Sequence, residues 1–135
     1  MNAGKKSVWI AFLFLLLLCS ACTPPSSVGM KGKSTGPHQI EVQVHPNPAV
    51  MLKENEFIIK VKDKSGNLVK NAKVKVTLSM ADMDHGDLTF SCASQGDGNY
   101  KGKGIPVMAG EWIATVHVEK DGESSIMDYL FEASR

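Results

Sequence analysis

From residue 39 onward the chain alternates apolar and polar positions with a period of two, the pattern of strands that bury one face and wet the other. "IEVQV" sets Ile40, Val42 and Val44 on one side, and "FIIKVKD" sets Phe57, Ile59 and Val61 inward with Lys60 and Lys62 outward. "KVKVTLSM" repeats the pattern with Val74, Val76, Leu78 and Met80, and "DLTFSCA" with Leu88, Phe90 and Cys92. "NYKGKGI", "EWIATVHVE" and "SIMDYLFE" supply three more strands. The last two meet at Asp121-Gly122, a pair that accepts the positive φ of a tight hairpin. Seven short strands and no apolar pattern at helical period predict an all-β fold, an antiparallel β-sandwich over residues 39 to 135.

The chain ahead of residue 39 has a different texture. Lys5 and Lys6 precede an unbroken apolar run from Val8 to Leu18, 11 residues long and too short for an ordinary membrane-spanning helix. Ser20 and Ala21 are the small residues a signal peptidase needs before Cys22, and the stretch resembles a bacterial lipobox with Cys19 where leucine is usual. Residues 1 to 21 therefore read as a lipoprotein signal peptide and Cys22 as the lipid attachment site. Residues 22 to 38, rich in Pro, Ser, Gly and Thr, read as a lipid-anchored linker. The expected location is extracytoplasmic, on the cell surface or in the periplasm, held to a membrane through the N-terminal lipid.

Removing residues 1 to 21 leaves 114 residues and takes away only two lysines, so the net charge moves from +1 to −1. That balance gives no reason to expect a nucleic-acid partner. A chain of this length makes one domain with one core. Cys22 is committed to lipid and Cys92 shares a face with Leu88 and Phe90, so the fold is expected to hold without disulfides. Cys92 reads as a buried thiol acting as a small hydrophobe. His117 alternates outward from Trp112, Ala114, Val116 and Val118 and reads as a solvated strand histidine. No Ser/His/Asp order, no paired carboxylates in an apolar setting and no phosphate-binding loop followed by a helix occurs, so catalysis is not expected.

Candidate chemistry is confined to loops. If each strand runs antiparallel to the one before it, "HPNPAVMLKEN", "ADMDHG" and "PVMAG" gather at one pole of the sandwich. They carry His45, Met51, Met83, His85 and Met108. The opposite loops, "KSGNLVKN", "SQGDG" and "KDGES", contain no histidine or methionine. Thioether and imidazole together suit Cu(I), whereas a hard cation wants several oxygens and zinc prefers histidine or thiolate. Met83, His85 and Met108 are the primary candidate ligands, with Met80, Met51 and His45 as additional ones. The aspartates at 82, 84 and 87 lack the loop spacing of an EF-hand. A competing account makes Met83 and Met108 flexible gap fillers that plug the open end over Trp112, with Met80 in the core beside Val76 and Leu78. On the same topology the first strand starts at the far pole, so the linker is expected to hold the Met/His loops away from the membrane.

"NPAVMLKENEFIIKVKDKSGNLVKNAKVKVTLSM" followed by "GDGNYKGKGIPVMAGEWIATVHV" resembles a YtkA-like domain, related to FixH-like proteins, over about residues 47 to 118. Met80 and Met83 match the methionine-rich loop of that family, and Met108, Gly110 and Trp112 match its M-x-G-x-W element. The resemblance implies an immunoglobulin-like sandwich that is exported or membrane-attached. The FixH-like relatives imply a link to maturation of haem-copper oxidases, and hence a protein partner in copper delivery. The alternative is a metal-free interaction or spacer module of the cell envelope.

Overall fold

The computed structural model describes Gly32, residues 34 to 80 and residues 83 to 135, with positions 83 to 87 described in their backbone only. The expected signal peptide, residues 1 to 21, and the expected lipid site Cys22 lie outside the described residues. Those described form nine strands and no helix: β1 (Ser34–Thr35), β2 (Gln39–His45), β3 (Ala49–Val50), β4 (Asn55–Lys62), β5 (Lys73–Met80), β6 (Met83–Ser94), β7 (Asn99–Gly104), β8 (Gly110–Lys120) and β9 (Glu123–Ser134). The seven longer strands are those the alternation predicts. β1 and β3 are additions, each two residues long and therefore too short to show a period.

Hydrogen bonding runs β1-β9-β8-β5-β6-β7-β4-β2, with β3 joined to β9 in parallel. One layer is β1, β9, β8 and β5, and the other is β7, β4 and β2. β6 joins them: it pairs with β5 as far as Cys92 and then with β7 at Ala93 and Ser94. The sandwich is thereby nearly closed into a barrel. Its core follows the predicted parity, with Ile40, Val42, Val44, Phe57, Ile59, Val61, Val74, Val76, Leu78, Trp112, Ala114, Val116 and Val118 all buried. Where β6 parts from β7, Phe90 fills the seam against two glycines. A Cβ at Gly102 would lie 2.8 Å from the Phe90 ring and one at Gly104 would lie 2.7 Å from it. Phe57 completes the packing, 5.2 Å from Phe90 and 5.5 Å from Phe131 between ring centres.

The connection between β5 and β6 is shorter than the sequence implied. Met83 and His85, expected in a loop, belong to the backbone of β6, which leaves only residues 81 and 82 between the strands. The ladder pairs Leu78 with Leu88 but Met80 with Met83, so Ser79 faces the four residues from 84 to 87. This is an enlarged β-bulge, and strict alternation does not hold across it. The polar run "DHGD" is accommodated because this half of β6 has a ladder partner on one side only, β5.

Antiparallel order sorts the turns as the topology predicts. Residues 46–54 and 105–109 fall at one pole with the ends of β5 and β9 and the start of β6, and residues 63–72, 95–98 and 121–122 fall at the other. Gln39 pairs with Lys62 at that second pole. The chain nonetheless does not arrive there. β1 runs antiparallel to β9, Ser34 opposite Met127 and Thr35 opposite Ile126, so the residues before it come from the side of the Met/His pole. Gly32 passes so close to the carbonyl of Asp128 that any side chain would collide. The expected exit of the linker from the far pole is thus corrected: the chain enters at mid-height of β9, heading away from the Met/His pole, and turns back only at Gly36.

Candidate functional site

The Met/His pole is assembled from three connections, two of them described. His45 ends β2, exposed and in register with Glu56. Beyond it the chain folds through β3, which lies along Ala133 and Ser134, and the Met51 amide donates to the Ser134 carbonyl at 2.8 Å. Asn55 holds this turn from inside. Its Oδ1 accepts from the Val50 amide at 2.7 Å, and its Nδ2 donates to the carbonyls of Val50 at 2.9 Å and Lys53 at 2.8 Å. A fully buried amide can remain there because its hydrogen bonds are made. Met51 is half-buried, and Leu52 adopts a left-handed φ of 58°.

The second connection, residues 105 to 109, is tied to the first by the Leu52 amide, which donates to the Pro106 carbonyl at 2.7 Å. Its M-x-G-x-W element has a separate task for each residue. The Trp112 indole N–H donates to the Met108 carbonyl at 3.0 Å, so the buried ring anchors the loop by its backbone. The Met108 side chain is left 37% exposed. Gly110 has φ +135°, and a Cβ there would lie 3.1 Å from the Met80 methyl. Met80, half-buried at the end of β5, therefore rests on the backbone two residues from Met108.

Residue 83 stands directly across the ladder from Met80, and residue 85 lies in the bulge. The side chains of Met83 and His85 are outside the described residues. Of the methionines that are described, Met80 brings its methyl close to Gly110 beside the 105–109 turn, and the turn that carries Met51 is hydrogen-bonded to the same loop at Pro106. Among the described residues no three His, Cys, Asp or Glu side chains come together as a metal cage. The described donors at this pole that suit a soft ion are the thioethers of Met51, Met80 and Met108 and the imidazole of His45. Exposed ion pairs flank the pole, Lys103 with Glu54 at 2.8 Å and Lys101 with Glu56 at 3.3 Å.

Three features escaped the sequence reading. Leu52, Ile105 and Val107 join Met108 as exposed apolar side chains at the same pole. The signal was available, since "GIPVMAG" carries four apolar side chains where a turn is normally polar. Asn55 was unmarked because nothing in its neighbourhood announces a buried amide. His38 and Ser125, both buried, pair through Nδ1 and Oγ at 2.9 Å, while the His38 amide donates to the same Oγ at 3.0 Å. This pair sits under the Gly36 turn, closed to substrate, and fastens the entering chain to β9. Cys92 is buried as expected, and burial pushes its thiol up to about 12.

No curated protein matches this chain. The sequence model of the family described as YtkA-like matches residues 34–117, well over half of it. The match runs from β1 into β8 and takes in the Asn55 turn, Met80 and the M-x-G-x-W loop, and on that match the chain belongs to the YtkA-like family.

Proposed function

We propose that this YtkA-like protein is a lipid-anchored, extracytoplasmic protein that binds Cu(I) at its methionine-rich pole and passes it to a protein partner, as in oxidase maturation. The observation that carries the reading is the approach of the Met80 methyl to Gly110, where an added Cβ would lie 3.1 Å from it. It draws a thioether from β5 to the loop of Met108, while position 83 lies opposite Met80 in the ladder. Thioethers are soft, neutral donors, and two or three of them with an imidazole satisfy Cu(I) without the oxygen ligands a hard cation requires. Met83, His85 and Met108 are the proposed ligands, with Met80, Met51 or His45 completing the set. A second reading, a metal-free interaction module, is favoured by the exposed Leu52, Ile105 and Val107.

Competition for Cu(I) against a chromophoric chelator separates the two. Copper binding predicts at least a tenfold loss of affinity in Met108→Ala and in His85→Ala. It also predicts weakening below about pH 6 as His85 takes up a proton, since thioethers keep their donor ability there. Unchanged affinity in both variants would remove the copper reading and leave the interaction module. The anchor is tested by metabolic fatty-acid labelling of the wild type against Cys22→Ala, where equal labelling would refute it.

A further inference from the structure

The geometry points to a second role for the methionine-rich pole: it docks onto the lipid surface of the membrane, with the tips of Leu52, Ile105 and Val107 entering the interface. This rests on the proposed lipid at Cys22. Six large apolar side chains are exposed among the described residues, and four of them, Leu52 at 64%, Ile105 at 45%, Val107 at 39% and Met108, occupy this one pole. They project from two adjacent turns that a backbone hydrogen bond holds together, so they form a single raised apolar rim. The Leu52 amide and the carbonyls of Pro106 and Met108 already have partners, which lowers the cost of removing that backbone from water.

What covers the rim is indicated by the path of the tether. Gly32, ahead of β1, lies beside Asp128 on the side of β1 nearer this pole, and the direction of the strand is fixed by the Ser34–Met127 ladder, by the Thr35 hydroxyl donating to the Ile126 carbonyl, and by the His38–Ser125 pair. Ten residues separate Gly32 from Cys22, a reach of at most ~35 Å. The pole lies six strand residues beyond Asp128, or about 20 Å. A tether of that length carries the rim to the bilayer with slack to spare. The opposite pole offers little to insert: its turns are mostly Lys, Ser, Gly, Asn, Gln and Asp, with Leu68, Val69 and Ala72 as their apolar residues. Its one large exposed apolar residue, Leu68, is packed over Gly98, where a Cβ would meet it at 2.7 Å. Docked in this way, the methionine pole would face the plane of the membrane, where a membrane-embedded acceptor of Cu(I) presents itself.

An environment-sensitive fluorophore tests the orientation. It is attached in the full-length lipidated protein at Val107→Cys, or at Ser65→Cys in the turn of the opposite pole. Cys22 would be occupied by lipid, and Cys92 is buried with its thiol pushed far up, so neither competes for the label. In vesicles of phosphatidylethanolamine and phosphatidylglycerol, docking predicts a blue shift at 107 and quenching by lipids brominated on their chains. The probe at 65 should stay solvated. A Leu52→Asp background should at least halve the quenching at 107. Fatty-acid labelling, read on the same preparations, distinguishes the two ideas. If lipid is present and position 107 is as solvated as 65, docking is overturned and the anchor stands. If no lipid is present, the anchor falls. The mature chain carrying Cys22→Ser is then added to the same vesicles, where a shift at 107 supports docking and its absence overturns it. A shift at both positions is non-specific adsorption and overturns the proposal. Quenching at 107 in native membranes but never in protein-free vesicles would assign the rim to a protein partner and equally overturn it.

Discussion

The indole N–H of Trp112 donates to the main-chain carbonyl of Met108 at 3.0 Å, while the Met108 side chain is left 37% exposed. Trp112 itself is 1% exposed, and the Met80 methyl approaches the chain two residues away, at Gly110. Met108→Ala should therefore cost less than about 1 kcal/mol in urea denaturation, as expected for truncating a partly exposed side chain. Trp112→Ala should cost ~3 kcal/mol or more. A loss of about 2 kcal/mol in Met108→Ala would restore the view that Met108 is a plug.

Gly110→Ala should destabilise by about 1 to 3 kcal/mol, because φ +135° is closed to a side chain and the new methyl would press on Met80. The same variant should weaken Cu(I) binding if Met80 is a ligand, since it moves the thioether without removing it. A stable Gly110→Ala variant would mean that the loop relaxes into another conformation.

Asn55→Ala should cost ~2 kcal/mol or more, because it strands the Val50 amide and two carbonyls inside the turn that presents Met51 and Leu52. Hydrogen exchange should show the loss locally, at Val50 and Met51. Protection unchanged at those amides would show that the turn is held by β3 alone.

Cys92 should resist alkylation at pH 8 in the folded protein and react once the protein is unfolded in urea, since only the thiolate is nucleophilic. Burial raises its pKa from 9.0 to about 12 in the folded state. Stability owed to the protonated thiol is therefore complete below pH 9 and lost as the pH climbs toward 12. Tyr129, also raised by burial, adds to the same alkaline decline. Cys92→Ala should flatten the first part of that slope, and an identical pH profile in the variant would contradict the assignment.

The long strands were legible in the sequence because each buries one face against a single core, and Phe57, Ile59 and Val61 leave no doubt which face that is. The segregation of the soft side chains to one pole followed from counting antiparallel turns. Three things did not follow. The bulge opposite Ser79 belongs to a polar run, where alternation carries no information. β3 and β1 are too short to have a pattern, and β1 alone decides from which side the chain enters. The bond from Trp112 to the Met108 carbonyl did not follow either, because a sequence does not reveal whether a methionine is held by its main chain or by its thioether.

β9 lies wholly beyond the family match, which ends at residue 117, yet pairs with β8, β1 and β3. Thr35 and Ile126, joined across that ladder, are 91 positions apart. A contact of such long range forms late, after the loop between its ends has been closed. Closure of this sandwich therefore waits on β9, and a chain whose β9 is held away from its partners should stay open even with every other strand in place.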